Sequence, residues 1–242
     1  MTDASGSDGH RERLRRKFLS HGLDKFTDEE IVELLLTLAT PRRDCKQQAR
    51  QAMEQFKTLR NIFEASTEEL VKIRGIGPNN AFGIKFIHQI THKFLRERMM
   101  DRPYLNSSAE ALDYLNHSMR SLPHEAFCVI YLSARHEILN EETIAVGTAT
   151  EVPVTPRQIV EHAVKNGAVG IVLAHNHPGG NAEPSDGDRM LTRETAFVCG
   201  MMGLRLVEHL IIAPEGHYSF ANEGHLSDYE REFQRFYAKF SK

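Results

Sequence analysis

An apolar run from Val169 to Ala174 stops in His175-Asn176-His177, turns through Pro178-Gly179-Gly180, and is followed by Ser185 and Asp188. No other stretch restricts the fold as tightly. The run is short and apolar, which predicts a buried strand. Residues i and i+2 at a strand end face the same side, so both imidazoles can reach one point. A helix starting near Ser185 sets Ser185 and Asp188 on one face. The stretch therefore demands a strand end, a tight loop and a helix start gathered around one spot. Two histidines and an aspartate are an ordinary ligand set for one Zn²⁺, with the fourth position open to water. Asp186 competes for the third place, but Asp188 keeps the i, i+3 relation to Ser185. Ser185 reads as an N-cap whose hydroxyl could also bond a metal-bound water, or donate to the oxyanion formed when water attacks a carbonyl.

The rest of the composition narrows the setting. The three cysteines, Cys45, Cys128 and Cys199, are far apart and odd in number, which argues against a disulfide framework and a cysteine-based zinc site. No apolar run approaches the roughly 18 residues of a membrane helix. Residues 1–10 are polar and rich in Gly, Ser and Asp, with no apolar signal core, so a disordered leader and a cytoplasmic protein without a membrane partner are expected. The net charge of -3 conceals an asymmetry, since residues 1–100 carry 18 Lys+Arg against 14 Asp+Glu and the remainder is acidic. Two domains with different partners fit that split.

The first domain is expected to be all-helical over residues 11–100. Arg11, Arg13, Arg15, Arg16 and Lys17 form either a phosphate-contacting arm or a solvated helix face with Leu14 and Phe18 packing beneath. Thr27-Asp28-Glu29-Glu30 caps a helix through Leu38, and a further helix runs from about Cys45 to Phe56. Ser66 and Glu69 stand in capping-box spacing. Ile73-Arg74-Gly75-Ile76-Gly77-Pro78 then separates two helices in the pattern of a helix-hairpin-helix module. Glycines allow a tight turn with bare backbone N–H groups, and a following helix N-terminus suits phosphate oxygens. Gly75, Gly77, Lys72 and Arg74, with Lys85 nearby, are thus candidate nucleic-acid contacts, against the alternative of a plain packing hairpin.

Asp101-Arg102-Pro103 and Asn106-Ser107-Ser108 mark a boundary, with Ser108 expected to cap a helix from Ala109 to Arg120. A second domain over 104–226 follows, with strands at Phe127–Leu132, Glu137–Asn140 and Glu142–Val146. Thr155-Pro156-Arg157 starts a helix whose buried stripe is Ile159, Val160, Ala163 and Val164. The His-Asn-His strand comes next, then a helix from about Ser185 to Cys199, a strand from Leu204 to Ala213 and a short strand at Tyr218–Phe220. A terminal helix over 227–242 carries Phe233, Phe236 and Phe240 on one side.

His175-x-His177-x7-Ser185-x-x-Asp188 resembles, without departure, the JAMM motif of the JAB1/MPN metalloenzyme family. Leu173 to Pro178 together with Glu183-Pro184-Ser185 is similar to the RadC branch, in which a helix-hairpin-helix region precedes the MPN domain. That resemblance implies an α+β protein: an all-α helix-hairpin-helix domain, then an α/β MPN domain with a mixed β-sheet, like the cytidine-deaminase fold. It implies a Glu that opens the strand after the domain's first helix. Glu125 holds that place, with Glu137 and Glu142 in reserve. In zinc-bearing relatives this Glu is the acid/base that activates water. Glu208-His209, in the late strand, matches an acid–His pair frequent in the family, and His209 could orient the site. Arg157 is a surface residue or a substrate contact.

The expected activity is thus that of a zinc-dependent metallohydrolase, most readily a metallopeptidase or isopeptidase acting on a protein or peptide. The alternative is a DNA-repair-associated protein that binds DNA through its hairpin, with the metal site acting on nucleic acid or auxiliary. A third reading, an inactive scaffold, sits badly with an intact ligand set.

Overall fold

The computed structural model describes residues 4–40, 44–100, 103–147 and 154–239. Its chain divides into two compact units, Met1–Thr91 and His92–Lys242. The change of unit falls inside a helix, earlier than the Asp101-Arg102-Pro103 break suggested. The reason is packing: Leu95, Met99 and Met100 belong to the core of the second unit.

The first unit is helical: α1 (Ala4–His21), α2 (Asp28–Ala39), α3 (Lys46–Phe56), α4 (Leu59–Glu64), α5 (Thr67–Leu70) and the start of α6 (Pro78–Met100). Thr27 and Ser66 close capping boxes with Glu30 and Glu69. Val32, Leu36, Ala49, Ile62, Leu70, Ile76 and Ile84 make the core. Helix α1 begins at Ala4, so the polar leader is helical from there rather than disordered. Leu14 is buried and His10 lies 3.1 Å from the Glu33 carboxylate. Once that anchor is set, adding turns to an existing helix costs far less than starting one. Phe18 stays exposed, so the i, i+4 pair with Leu14 is not buried as expected.

The second unit is a five-stranded sheet in the order β2-β1-β3-β4-β5. Its strands are β1 (Ala126–Leu132), β2 (Ile138–Val146), β3 (Gly170–Asn176), β4 (Arg205–Ala213) and β5 (Gly216–Ser219). Pairing is antiparallel except between β3 and β4, which run parallel, so the sheet is mixed. The parallel pair needs a crossover, and α9 (Asp186–Met201) supplies it. One face carries Cys128, Ile130, Val172, Ala174 and Ile212 against α7 (Tyr104–Met119). The other carries Phe127, Val129, Tyr131, Ile171 and Leu173 against α8 (Pro156–Lys165) and α9. Every residue of β1 and β3 is buried, which is why both read as unbroken apolar runs. The last helix, α10 (His225–Tyr237), lays Phe233 on Gly200, where a Cβ would stand 2.6 Å from the ring.

Three further expectations need correction. Helix α7 starts at Tyr104, not after Ser108, because buried Tyr104 donates its N–H to His136 O at 2.7 Å and fixes the first turn there. The two strands expected between Glu137 and Val146 are one, β2, whose pairing to β1 shifts register at Phe127/Cys128 and Tyr131/Leu132. Those bulges break the alternation that a sequence pattern relies on. Val164 is exposed, since α8 turns only Ile159, Val160 and Ala163 inward. Phe233 and Phe236 share a side of α10, since both rings meet Phe197, with Phe236 the more exposed, and Phe240 lies outside the described residues.

Candidate metal centre

Three elements meet at the C-terminal end of β3. The strand delivers His175 and, just past its end, His177; the first turn of α9 delivers Asp188. Pro178 has no N–H for the ladder and ends the strand. His177 still donates its N–H to Ile212 O on β4 at 2.8 Å, which keeps it level with the sheet. Gly180, at φ 97°, allows the loop to fold back so that Asn181 O lies 2.9 Å from His177 Nδ1. Ser185 then caps α9: its hydroxyl accepts from Asp188 N–H, and its own N–H donates to Asp188 Oδ2 at 2.8 Å.

The three side chains converge. His175 Nε2 is 3.0 Å from His177 Nε2 and 3.1 Å from Asp188 Oδ1, and His177 Nε2 is 3.4 Å from Asp188 Oδ2. Nitrogen and oxygen ligands ~2.0–2.1 Å from one tetrahedral zinc would stand roughly 3.3 Å apart. These residues are the group among the described side chains able to hold a metal ion.

Hydrogen bonding fixes which nitrogen carries each proton. A carbonyl only accepts, so His177 must present Nδ1–H to Asn181 O, leaving the Nε2 lone pair free. A second chain of contacts fixes His175. Thr192 donates its hydroxyl proton to Asp188 O at 2.5 Å, so His209 Nδ1, 2.7 Å from that hydroxyl oxygen, is the donor to it. His209 is neutral because burial pushes its pKa well down. Its Nε2 is then an acceptor, and His175 Nδ1–H, at 2.9 Å, is the donor. Both Nε2 lone pairs therefore point into the same small space beside a carboxylate. Two lone pairs facing each other at that range require a positive charge between them, a shared proton or a metal cation. The donor set thus fits zinc in number, type and tautomer.

The electrostatics agree. Burial alone would raise the Asp188 carboxyl, but with protons rather than an ion at the shared point, hydrogen bonds from His175 and His177, the His175 charge and the Ser185 hydroxyl hold it far below the usual carboxylate range. His177 is raised, chiefly by its hydrogen bond to Asp188 against the opposing effect of burial, with Asn181 O and the charges of Asp188 and Glu125 adding to it. Phe127 lies flat against the His175 ring, 5.7 Å between centroids.

Glu125 precedes β1 directly, and its carbonyl accepts from Gly147 N–H at 2.9 Å. Phe127 pairs with His175 across the ladder, and alternation puts Glu125 on that same face. The reserves stand elsewhere. Glu137 closes the β1–β2 turn with Ser133, by Leu132 at the opposite end of β1. Glu142 accepts from Tyr131 and Asn140 and lies 3.0 Å from His162 Nδ1. Asp186 is exposed, and Arg157 is an exposed partner of Glu161. Ser185 is exposed and gives its proton to Asp188 Oδ2 at 2.6 Å. Glu208 accepts from Ser219, Ala221 N–H and His209 N–H, and so anchors β4 behind His209.

Sequence reasoning passed over two residues here. Thr192 was within reach of helix periodicity, one turn on from Asp188. Asn176 was signalled only by lying between two histidines and facing the other way: its side chain accepts from Ala126 N–H at 2.8 Å and donates to His124 O at 3.0 Å.

The hairpin of the first unit contrasts with this. Gly75 sits at φ 93°, where a Cβ would meet Gln48 at 2.7 Å. The Gly77 N–H donates to Asn80 Oδ1 at 3.2 Å, and Asn80 in turn donates to Leu36 O and Thr40 Oγ1. Lys85 points inward and donates to Phe63 O and Ala65 O at 2.9 and 3.0 Å. Lys72 and Arg74 remain exposed. In the basic arm, Lys17 pairs with Glu30 and Arg16 with Glu12, while Arg11 donates to Thr40 O.

Comparison with known proteins matches residues 105–225 to the RadC-like JAB domain and residues 9–82 to the UPF0758 N-terminal family. A UPF0758 protein of Fusobacterium nucleatum is 38% identical over 223 residues, covering 89% of this chain and 96% of the relative. One of Ruegeria pomeroyi is 34% identical, covering 90% and 97%. One of Pseudoalteromonas translucida is 30% identical, covering 88% and 95%.

Proposed function

The chain belongs to the RadC-like JAB domain family, and on that premise we propose that it is a zinc-dependent metallohydrolase that cleaves amide or isopeptide bonds in a protein or peptide. One observation carries the reading: two imidazole lone pairs and a carboxylate, with tautomers set by the chain itself, face one point, on the side of the sheet that strand alternation gives to Glu125. His175, His177 and Asp188 would hold the ion. When bound, zinc would supply a Lewis acid that makes water a usable nucleophile near neutral pH.

The chain's own groups do the rest. Glu125 takes the proton from the attacking water and later delivers it to the departing amine, a carboxylate's ordinary acid/base work. Ser185 holds Asp188 in place by giving its hydroxyl proton to Oδ2, and to serve the oxygen that gains charge as the carbonyl is attacked the exposed hydroxyl would turn that proton away from Asp188, leaving its backbone N–H as the tether. Thr192 and His209 keep the His175 ring in its ligating tautomer.

Metal analysis of the purified protein, joined to a screen of peptide and isopeptide substrates with wild type, Glu125→Gln and His175→Ala, tests this. The expected result is about one zinc per wild-type chain and hydrolysis that both variants lose. A metal-free wild type, or hydrolysis that survives both changes, sinks it. The DNA-binding alternative rests on exposed Lys72 and Arg74 beside the positive-φ Gly75. Salt-sensitive binding to duplex or branched DNA that weakens in the Lys72→Ala/Arg74→Ala variant would favour it.

A further inference from the structure

Asn176 lies between the two candidate ligands, yet strand alternation turns its side chain to the opposite face of β3. It is 1% exposed, so its amide must find partners within the protein. It finds them on either side of Glu125. Its Oδ1 accepts from Ala126 N–H at 2.8 Å, and its Nδ2 donates to His124 O at 3.0 Å. The antiparallel pairing of β1 and β3 is registered only as far as Phe127↔His175. Beyond it, the side-chain amide takes the place of a peptide group and carries the ladder two residues further. On its other side, the Glu125 carbonyl is tied to Gly147 N–H at 2.9 Å. The backbone around Glu125 is thus held from both neighbours by a side chain rooted between the metal ligands.

We propose that Asn176 is a positioning residue that ties the general-base strand to the metal-binding strand, so that Glu125 is presented to the reacting water at a fixed distance from the ion. The claim rests on the metallohydrolase reading for what Glu125 does, though the clamp itself can be tested without it. Asparagine suits the task because it carries one donor and one acceptor on a short stem. Aspartate keeps the shape but offers no donor to the His124 carbonyl. Glutamine keeps both groups but sets them one methylene further out. Neither should restore the function in full.

The test uses full-length wild type, Asn176→Ala, Asn176→Asp and Glu125→Gln loaded with Co²⁺, whose visible spectrum reports the ion's surroundings. Expected are unchanged metal stoichiometry in the Asn176 variants, a spectrum displaced from wild type towards that of Glu125→Gln, and, in Asn176→Ala, which alone removes the acceptor, Ala126 amide exchange faster by roughly tenfold, the scale of one lost hydrogen bond. In any hydrolysis assay, Asn176→Ala should lower kcat with little change in KM. It should add nothing on the Glu125→Gln background, whereas damage to the fold would add to it. A wild-type spectrum in both Asn176 variants, or additive losses, overturns the proposal. If Asn176→Ala fails to fold, Asn176→Asp, which loses the donor to His124 O, decides by the metal spectrum and kcat. If wild type takes up no metal, the hydrolase reading fails separately, and Ala126 exchange unchanged in Asn176→Ala then rejects the clamp.

Discussion

The glycine hairpin of the first unit and the histidine strand of the second present themselves alike in sequence: each is a short polar signature between apolar segments. Their hydrogen bonds separate them. In the hairpin, the polar groups that a ligand would use are taken by the chain: Gly77 N–H by Asn80, and the Lys85 ammonium by the carbonyls that end α4. At the strand end, hydrogen bonding does the opposite. The bonds that His175 and His177 make to His209 and Asn181 occupy the far ring nitrogen, Nδ1, and leave the near one aimed at the point shared with Asp188. A signature is read best by asking which of its polar groups the fold has left over. Two of the capping boxes, those at Ser66 and Ser185, repeat the lesson. Glu69 spends its carboxylate on Ser66 alone, whereas Asp188 ties one oxygen to Ser185 and turns the other towards His175.

The sharpest way to break this contrast is to strip each region in turn. His175→Ala should lose its zinc entirely by metal analysis, and a chelator should lower the melting temperature of wild type but not of this variant. Lys85→Met should keep full zinc while losing ~1–3 kcal/mol in chemical denaturation, because carbonyls at the end of α4 lose their donor. Zinc loss in Lys85→Met would erase the distinction between the regions. Glu125→Gln comes next: bound zinc unchanged, kcat down about 10²–10⁴-fold.

The capping serines give a finer comparison. Ser66→Ala and Ser185→Ala should each cost ~1 kcal/mol in thermal unfolding. Only Ser185→Ala should also hasten zinc release to a competing chelator, since Asp188 would lose its tether; equal release rates would show that the cap does nothing for the site. The smallest effect is expected in the hairpin. Lys72→Ala/Arg74→Ala should leave the salt dependence of any DNA binding unchanged, and a slope shallower by ~2 would show that the exposed cations meet phosphate after all.

How far the site was legible follows from the distances over which its parts communicate. His175, His177, Ser185 and Asp188 sit within one strand–loop–helix, so two local periods were enough to bring them together. Thr192 was equally readable, one helical turn beyond Asp188. Glu125 is different: no local rule links it to His177, and only family resemblance pointed there. Asn176 was invisible because its partners are backbone groups on β1, which have no residue type to betray them. The fold shows the same division. The central strands and the helix starts at Thr27, Ser66, Thr155 and Ser185 announced themselves, although the boxes that Gln158 and Asp188 close did not. The start of α7 and the bulges of β2 did not, since a long-range bond to His136 O and a register shift set them.

The one parallel pair in the sheet also has a consequence for how the protein is made. A ribosome releases β1 early, but β3 and β4 can align only after α9 has been synthesised and has crossed between them. At ~5–20 residues per second that leaves Glu125 waiting several seconds for Asp188. An ion captured by all three ligands would then act as a seal on a nascent chain, closing the domain only once strand, loop and crossover helix have come together.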